Sequence, residues 1–396
     1  MLVLALVMAG ACVAQAFGRF TYGVVLPAVR DDLLGSNRAA GLLGTLNVGA
    51  YLAGTVVVAS ISARLSLVAL VRAGLCLSTA GLLLASVAGS GATLGLCLMA
   101  MGLGGAAIWI PSPRLATAAL PPSRRGLGAG LVGTGIGIGI VFAGQLSDAL
   151  RHGNDDSWWR DVYRIEGAVG VVVLLASFVV LRSTEAAAGG SRARWGGFGV
   201  LRQIRGWAPL TAAYAAFGFM YLLVFAFLVA RLEDDAGFSA DEASLMYSAV
   251  GVATIFGGIL LGPLSDRTGR RATLVLAFLV FGTSTLSILT GDQPWVLLGA
   301  IGIGVSFSGL PTVIAAYVVD TTDAATYGPA YSAATLAFGV AQMAAPQVGG
   351  ALADWRGSFT IVFLLSALVA LFGAATSSLL PDPRAAAVPA EPEPVL

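Results

Sequence analysis

Lysine is absent from this sequence, and histidine occurs once, at His152. All 22 basic residues are arginine, set against 21 acidic ones, so the net charge is close to zero. Such a balance offers neither the basic patch that a nucleic-acid partner demands nor a polybasic lipid-binding tail. The exclusive use of arginine reads as codon bias towards GC, not as chemistry. Cysteine is scarce too. Cys12, Cys76 and Cys97 each sit in an apolar run, without metal-ligand spacing and far from His152. They read as buried packing thiols, which leaves no case for a disulfide framework or a zinc site. With no Ser/His, Cys/His or metal constellation, an enzyme is not expected, and no cofactor is implied.

Charge of either sign is also thin. Charged residues make up 11% of the chain and hydrophobic ones 57%, whereas soluble domains are about 25% charged. Lipid is therefore the expected solvent. A bilayer core needs about 20 mostly apolar residues per helix, and twelve runs meet that length: 2–28, 38–62, 66–88, 92–118, 126–149, 162–182, 207–231, 241–264, 272–290, 295–319, 328–352 and 358–380. They are too long, and too little alternating, for barrel strands. The first run lacks a charged leader and a cleavage site, so it reads as a retained helix, not a signal peptide. It starts with no preceding tail, which points to a start codon a few residues upstream.

Arginine placement predicts the orientation. One side collects Arg64, Arg72, Arg114, Arg124, Arg125, Arg182, Arg192, Arg194, Arg202, Arg205, Arg267, Arg270, Arg271 and Arg384. The other carries Arg30, Arg38, Arg151, Arg160, Arg164, Arg231 and Arg356. The positive-inside rule then puts both termini in the cytoplasm of a cell with this chain in its inner (plasma) membrane.

The chain also repeats itself. Phe17-Gly18, LPAVRDD and Gly35 return about 200 residues later as Phe217-Gly218, LVARLEDD and Gly237, and Asn47-Val48-Gly49 matches Ala249-Val250-Gly251. SWWRDVYR (157–164) echoes DWRGSF (354–359). The expected plan is a six-helix bundle over 1–182, a cytoplasmic linker over 183–206, a second bundle over 207–380 and a disordered tail over 381–396.

Between the eighth and ninth runs stands GPLSDRTGRR (262–271). This closely resembles the G-x-x-x-D-R-x-G-R-R loop of the major facilitator superfamily, whose members have two parallel six-helix repeats. The resemblance implies an all-α polytopic membrane protein, twelve transmembrane helices in two pseudo-symmetric bundles, generally monomeric. The loop reads as a conformational latch. Asp266 would cap a helix N-terminus. Arg267, Arg270 and Arg271 would reach carboxylates such as Asp320, and Gly269 would allow the tight turn. The matching loop of the first half, ISARLSL (61–67), has lost the aspartate. The fifth run lacks the Gly-Pro pair of the drug antiporters, which argues against drug efflux.

Arg19 is the charge that matters most. It lies about 13 Å inside the first run, too deep to snorkel, where an arginine costs about 2.5–3.5 kcal/mol. Asp148, Glu166, Asp241 and Asp320 all read as near helix ends, so no counter-ion is evident. An unpaired guanidinium suits a carboxylate or phosphate. The stretch GRFTYGVVLP (18–27) with Asn47-Val48-Gly49-Ala50-Tyr51 resembles a bacterial subgroup reading G-R-F-x-Y-x-x-x-L-P, and a first-span arginine resembles those of organic-anion carriers in the superfamily. Helical spacing adds cavity candidates: Gln15 and Tyr22 beside Arg19, Asn47 with Tyr51, Tyr214 with Tyr221, and Tyr331, Thr335, Phe338 and Gln342 as a stripe, with Trp109 and Tyr247.

The expected function is secondary transport of a small, anionic organic solute by alternating access around Arg19. The interior-negative potential opposes anion entry by about 2.3 kcal/mol per charge per 100 mV. Without a mid-depth carboxylate, exchange against another anion or a proton borne by the substrate is favoured, with Glu166 and Asp241 as fallback proton sites. Proton-driven efflux of hydrophobic compounds is the alternative. A non-transporting sensor is more remote, because PDPRAAAVPAEPEPVL (381–396) is too short for an output domain.

Overall fold

The computed structural model describes residues 2–61, 64–121, 125–151, 157–181, 199, 201–323 and 326–381. Twelve helices among them are long and apolar enough to cross a bilayer, and they coincide with the twelve expected runs. They are α1 (Leu2–Leu34), α2 (Asn37–Ile61), α3 (Leu67–Ala85), α4 (Gly91–Ala116), α5 (Arg125–Arg151) and α6 (Trp158–Val180). The second set is α7 (Trp207–Asp235), α8 (Ala240–Thr268), α9 (Arg270–Ile288), α10 (Gln293–Thr321), α11 (Tyr327–Arg356) and α12 (Thr360–Ser378). Odd-numbered helices start at what is called here the terminal face, where α1 begins and α12 ends; the opposite face is the distal one. Most of the linker, together with His152 and residues 382–396 of the tail, lies outside the described residues.

Several helices overrun their expected ends, α1 and α7 among them. α1 continues through Arg30-Asp31-Asp32 to Leu34, and α7 through Glu233-Asp234 to Asp235, each as a widened last turn. Charges there looked like loop, but each finds a partner and the helix persists. Gly35 caps the first helix directly and Gly237 follows the Ala236 cap of the second, both with φ +70°, a conformation that disfavours any side chain. The repeat seen in the sequence is thus a repeat of helix ends.

Each half packs on itself: α3 on α4 and α6, α2 on α4, α8 on α10, α9 on α10 and α12, and α7 on α11 and α12. Leucine, valine and phenylalanine at the periphery, such as Leu175, Phe178, Phe256 and Leu368, are exposed as lipid-facing residues must be. The halves meet along α5–α8 and α2–α11, two interfaces that the repeat interchanges, and along the distal part of α1 with α7. Backbones come close there. A Cβ on Gly41 would stand 2.2 Å from the Pro346 carbonyl oxygen, and one on Gly350 2.1 Å from that of Asn37.

A clasp of charges closes the distal face across the two halves. Arg30 of α1 pairs with Asp234 of α7, and Arg151 of α5 with Glu233 of α7. The first-turn amides of α2, at Asn37 and Arg38, donate to the Asp354 carboxylate of α11 at 2.9 and 2.7 Å, so an anion from one half caps a helix of the other. Within the first half, Asp32 accepts from Arg160 at 2.6 Å and from the Trp159 indole at 3.1 Å.

Candidate functional site

The middle of α1, Cys12–Phe20, is wound as a π-helix, a form concentrated at functional sites because it frees backbone groups and re-aims side chains. Arg19 lies in it, partly exposed. Its guanidinium carbon stacks 4.3 Å from the centre of the Tyr51 ring on α2, a cation–π arrangement. It also pairs with the Tyr221 hydroxyl of α7. That hydroxyl accepts from the Gln342 amide of α11, while Gln15 pairs with the Tyr51 hydroxyl. One cation thus gathers four helices from both halves. Among the described residues no carboxylate lies within salt-bridge distance of Arg19.

Aromatic rings wall the site. Tyr221 lies 5.0 Å from Phe217 and 4.9 Å from Phe307, and Phe225 lies 4.9 Å from Phe20 and 4.6 Å from Phe307, between ring centres. Tyr214 stacks on Phe338 at 4.7 Å, and its hydroxyl meets that of Tyr331 at 3.4 Å. Thr335 donates to the Tyr331 carbonyl at 2.8 Å. Beside Arg19 remains a void of about 20 Å³, bounded by Phe20, Asn47, Leu222, Phe225 and Pro346 among others, room for about one water.

Four expected site residues make contacts elsewhere, although Tyr22 and Asn47 also line the void beside Arg19. The Asn47 amide nitrogen donates to the carbonyls of Gly18 at 2.9 Å and Leu98 at 2.7 Å, bracketing α1, α2 and α4. Tyr22 donates to the Ala40 carbonyl at 2.9 Å and Tyr247 to that of Phe20 at 2.8 Å. Trp109 packs beside a small apolar cluster of Leu4, Val7, Ala11, Ala116 and Val132.

Glu166 needs correction as well. It looked interfacial, yet it is fully buried, and its Oε1 accepts from Thr21 Oγ1 of α1 at 2.6 Å. α6 already begins at Trp158, with Trp158 and Trp159 buried, so Glu166 lies two turns inside. The signal was legible: Trp159, Tyr163, Glu166 and Gly170 recur at helical spacing as one inward stripe. The aromatic wall was harder to read, because α7 is apolar on every side and shows no preferred face.

At the terminal face the 262–271 loop ties α8, α9 and α10. Arg270 Nε donates to Asp320 at 2.8 Å, and its Nη1 donates to both Ser265 and Asp266. Asp266 was expected to cap a helix N-terminus. It sits instead in the last turn of α8, which stays helical to Thr268, and it faces Arg270 at the start of α9. Gly269 makes the break with φ +95°, while Arg267 and Arg271 are exposed.

Comparison with known proteins agrees with this architecture. Residues 11–378 match the family described as "Uncharacterised MFS-type transporter YbfB". The chain is 25% identical over 274 residues to the human monocarboxylate transporter 6, covering 61% of this chain and 53% of that protein. It is 22% identical over 145 residues to myo-inositol transporter 3C of Cryptococcus neoformans, covering 36% and 25%. The chain thus spans a quarter to about half the length of these relatives. Among solved structures it is similar in fold to a D-xylose-proton symporter, with a TM-score of 0.75, 16% identity and coverage of 97% and 98%. It also resembles a bacterial homologue of the human lysosomal transporter Spinster, with a TM-score of 0.73, 17% identity and coverage of 95% of both chains.

Proposed function

This chain belongs to the family of YbfB-type major facilitator transporters, and from that membership we propose that it carries a small organic anion by alternating access about Arg19. The observation behind the anion is the isolated guanidinium. Arg19 stands at the meeting of both halves with aromatic and amide neighbours and, among the described residues, no carboxylate in salt-bridge reach. A partly exposed cation of this kind, deep in the membrane, is stabilised when a ligand carboxylate or phosphate supplies the missing charge. The relative named for monocarboxylate transport fits the same substrate class. Placement in the inner membrane with both termini cytoplasmic accords with the arginines: on the distal face Arg30, Arg151 and Arg160 are spent on carboxylates of the clasp.

The test is thermal stability of the purified protein with lactate, benzoate, glycerol 3-phosphate, myo-inositol and tetraphenylphosphonium. A ligand at 100 times its dissociation constant stabilises the native state by about 2.7 kcal/mol. An acid should raise the melting temperature of the wild type and not that of Arg19→Ala. A second reading, efflux of hydrophobic compounds, is favoured by the ring of Phe20, Phe217, Phe225, Phe307 and Phe338. A shift with tetraphenylphosphonium alone, retained in Arg19→Ala, would select it.

In this reading the Asp266–Arg270–Asp320 cluster holds the terminal end of the second bundle in one state of the cycle. Asp266→Asn is then expected to slow transport by about tenfold while changing substrate affinity less than about twofold, since the pair touches no substrate. A change in affinity alone, measured by the same thermal titration, would refute the latch.

A further inference from the structure

Glu166 takes no part in the anion site, yet among the described residues it is the only acidic side chain wholly buried. It lies about 12 Å along α6 from the distal end of that helix. Its Oε1 accepts from Thr21, and its Oε2 is buried with no partner at all. Titratable neighbours surround it from several helices. They are Cys12 of α1, Tyr163 of α6 itself and Tyr247 of α8, with Tyr22 of α1 and Cys97 of α4 beyond Tyr163. None is a cation. Arg72 of α3 meets α6 near its other end, at Ser177, Phe178 and Leu181. The Tyr163 hydroxyl is buried and unpartnered as well.

An ionised carboxylate in that setting would be an uncompensated buried charge, whereas a carboxylic acid with its hydrogen on Oε2 is neutral and fits. We propose that Glu166 takes up a proton from the distal side, holds it as a neutral acid through distal closure and releases it on the terminal side, making this carrier proton-coupled. The inference rests on the transport reading above and supplies its coupling ion.

The geometry links the two sites through α1. Thr21 follows Arg19 by two residues, at the point where the π-helix reverts to an α-helix, and Cys12 marks its other end. Distal of Glu166, Asp32 is held by Trp159 and Arg160, and the clasp closes above it. When the halves part distally, Tyr247 of α8 draws back from Glu166 and water brings a proton to its carboxylate. Only the neutral acid tolerates the dry contact with α1 that closure restores. When the terminal ends of the halves part in turn, water reaches Glu166 from that side, the O–H bond on Oε2 breaks, its electron pair stays on the oxygen and the proton passes to water there. Anion and proton then cross together, and the pair moves no net charge against the interior-negative potential.

Infrared spectroscopy of the full-length protein in liposomes tests the site without any substrate. A protonated-carboxyl band should be present at neutral pH, vanish on alkaline titration and be missing from Glu166→Gln. Thr21→Val, which removes the single donor, should shift the band. Absence of the band from the wild type, or its persistence unchanged in Glu166→Gln, would overturn the proposal. Coupling is read with labelled lactate in the same liposomes. Glu166→Gln, which mimics the neutral acid, should keep lactate counterflow yet lose accumulation driven by a pH gradient at least about tenfold. Gradient-driven accumulation equal to the wild type would overturn the coupling. If the wild type moves no lactate but shows the titrating band, the anion reading fails while the proton site stands.

Discussion

Replacing Gly41 and Gly350 together by leucine is expected to trap the protein open at its distal face and to lower transport by about a hundredfold or more. Each added side chain would run into a backbone carbonyl of the other half: Gly41 into Pro346 and Gly350 into Asn37. Carbonyl oxygens of packed helices do not move aside as a flexible side chain would. Most helix packing lies within each half, so the less costly response is for the halves to separate along α2–α11 without unfolding. Separation also removes Asp354 from the first-turn amides of α2. The check is labelling of Leu222→Cys in a background with Cys12, Cys76 and Cys97 replaced by alanine, using a membrane-impermeant maleimide applied from the distal side. Leu222 lines the void beside Arg19 and is buried, so the parent should label slowly and the double-leucine variant rapidly. Equal labelling, with transport preserved, would show that these contacts do not close the distal face.

The second large effect concerns Asn47. Its amide nitrogen serves two carbonyls on different helices, and Leu98 is one of the most enclosed residues in the first half. Asn47→Ala leaves both acceptors buried without that donor, and a buried polar group left unmade costs about 1–3 kcal/mol. The expected loss is about 2–4 kcal/mol of stability, a large fraction of what a native fold holds in reserve. Because Gly18 precedes Arg19, the loss should also loosen the π-helical segment. Thermal unfolding of Asn47→Ala against Tyr247→Phe, which forfeits one hydrogen bond to the Phe20 carbonyl, measures the difference. A melting temperature within a degree of wild type would mean the bracket is dispensable.

The origin of each feature decides how far the sequence could reveal it. Twelve spans are legible because a bilayer demands a run of apolar residues that nothing else explains. Helix ends were less so. Arg30, Asp31 and Asp32 resemble a loop until Asp234 arrives from 200 residues away to pair with Arg30. Arg19 stood out because a deep guanidinium is costly anywhere, but its lack of an acidic partner among the described residues was not legible, since Glu166 also lies in the interior. Asn47, Tyr22 and Tyr247 could not be told from ligand-binding residues, because what occupies them is backbone carbonyl, which every sequence position provides. Phe225 and Phe307 were hidden in helices apolar all round. Glu166 was misjudged by placing the start of its helix four residues late, a small error of register that moved a carboxylate from the interface into the interior.

Labelled-acid counterflow in liposomes, comparing wild type with Arg19→Ala and Arg19→Lys, bears most directly on the central claim. The acid used is the one that stabilises the wild type most. Saturable exchange is expected in the wild type, reduced exchange in Arg19→Lys, which keeps the charge but not the planar fork, and none in Arg19→Ala. Exchange by Arg19→Ala at the wild-type rate would show that the cation between the two halves is not where the substrate binds.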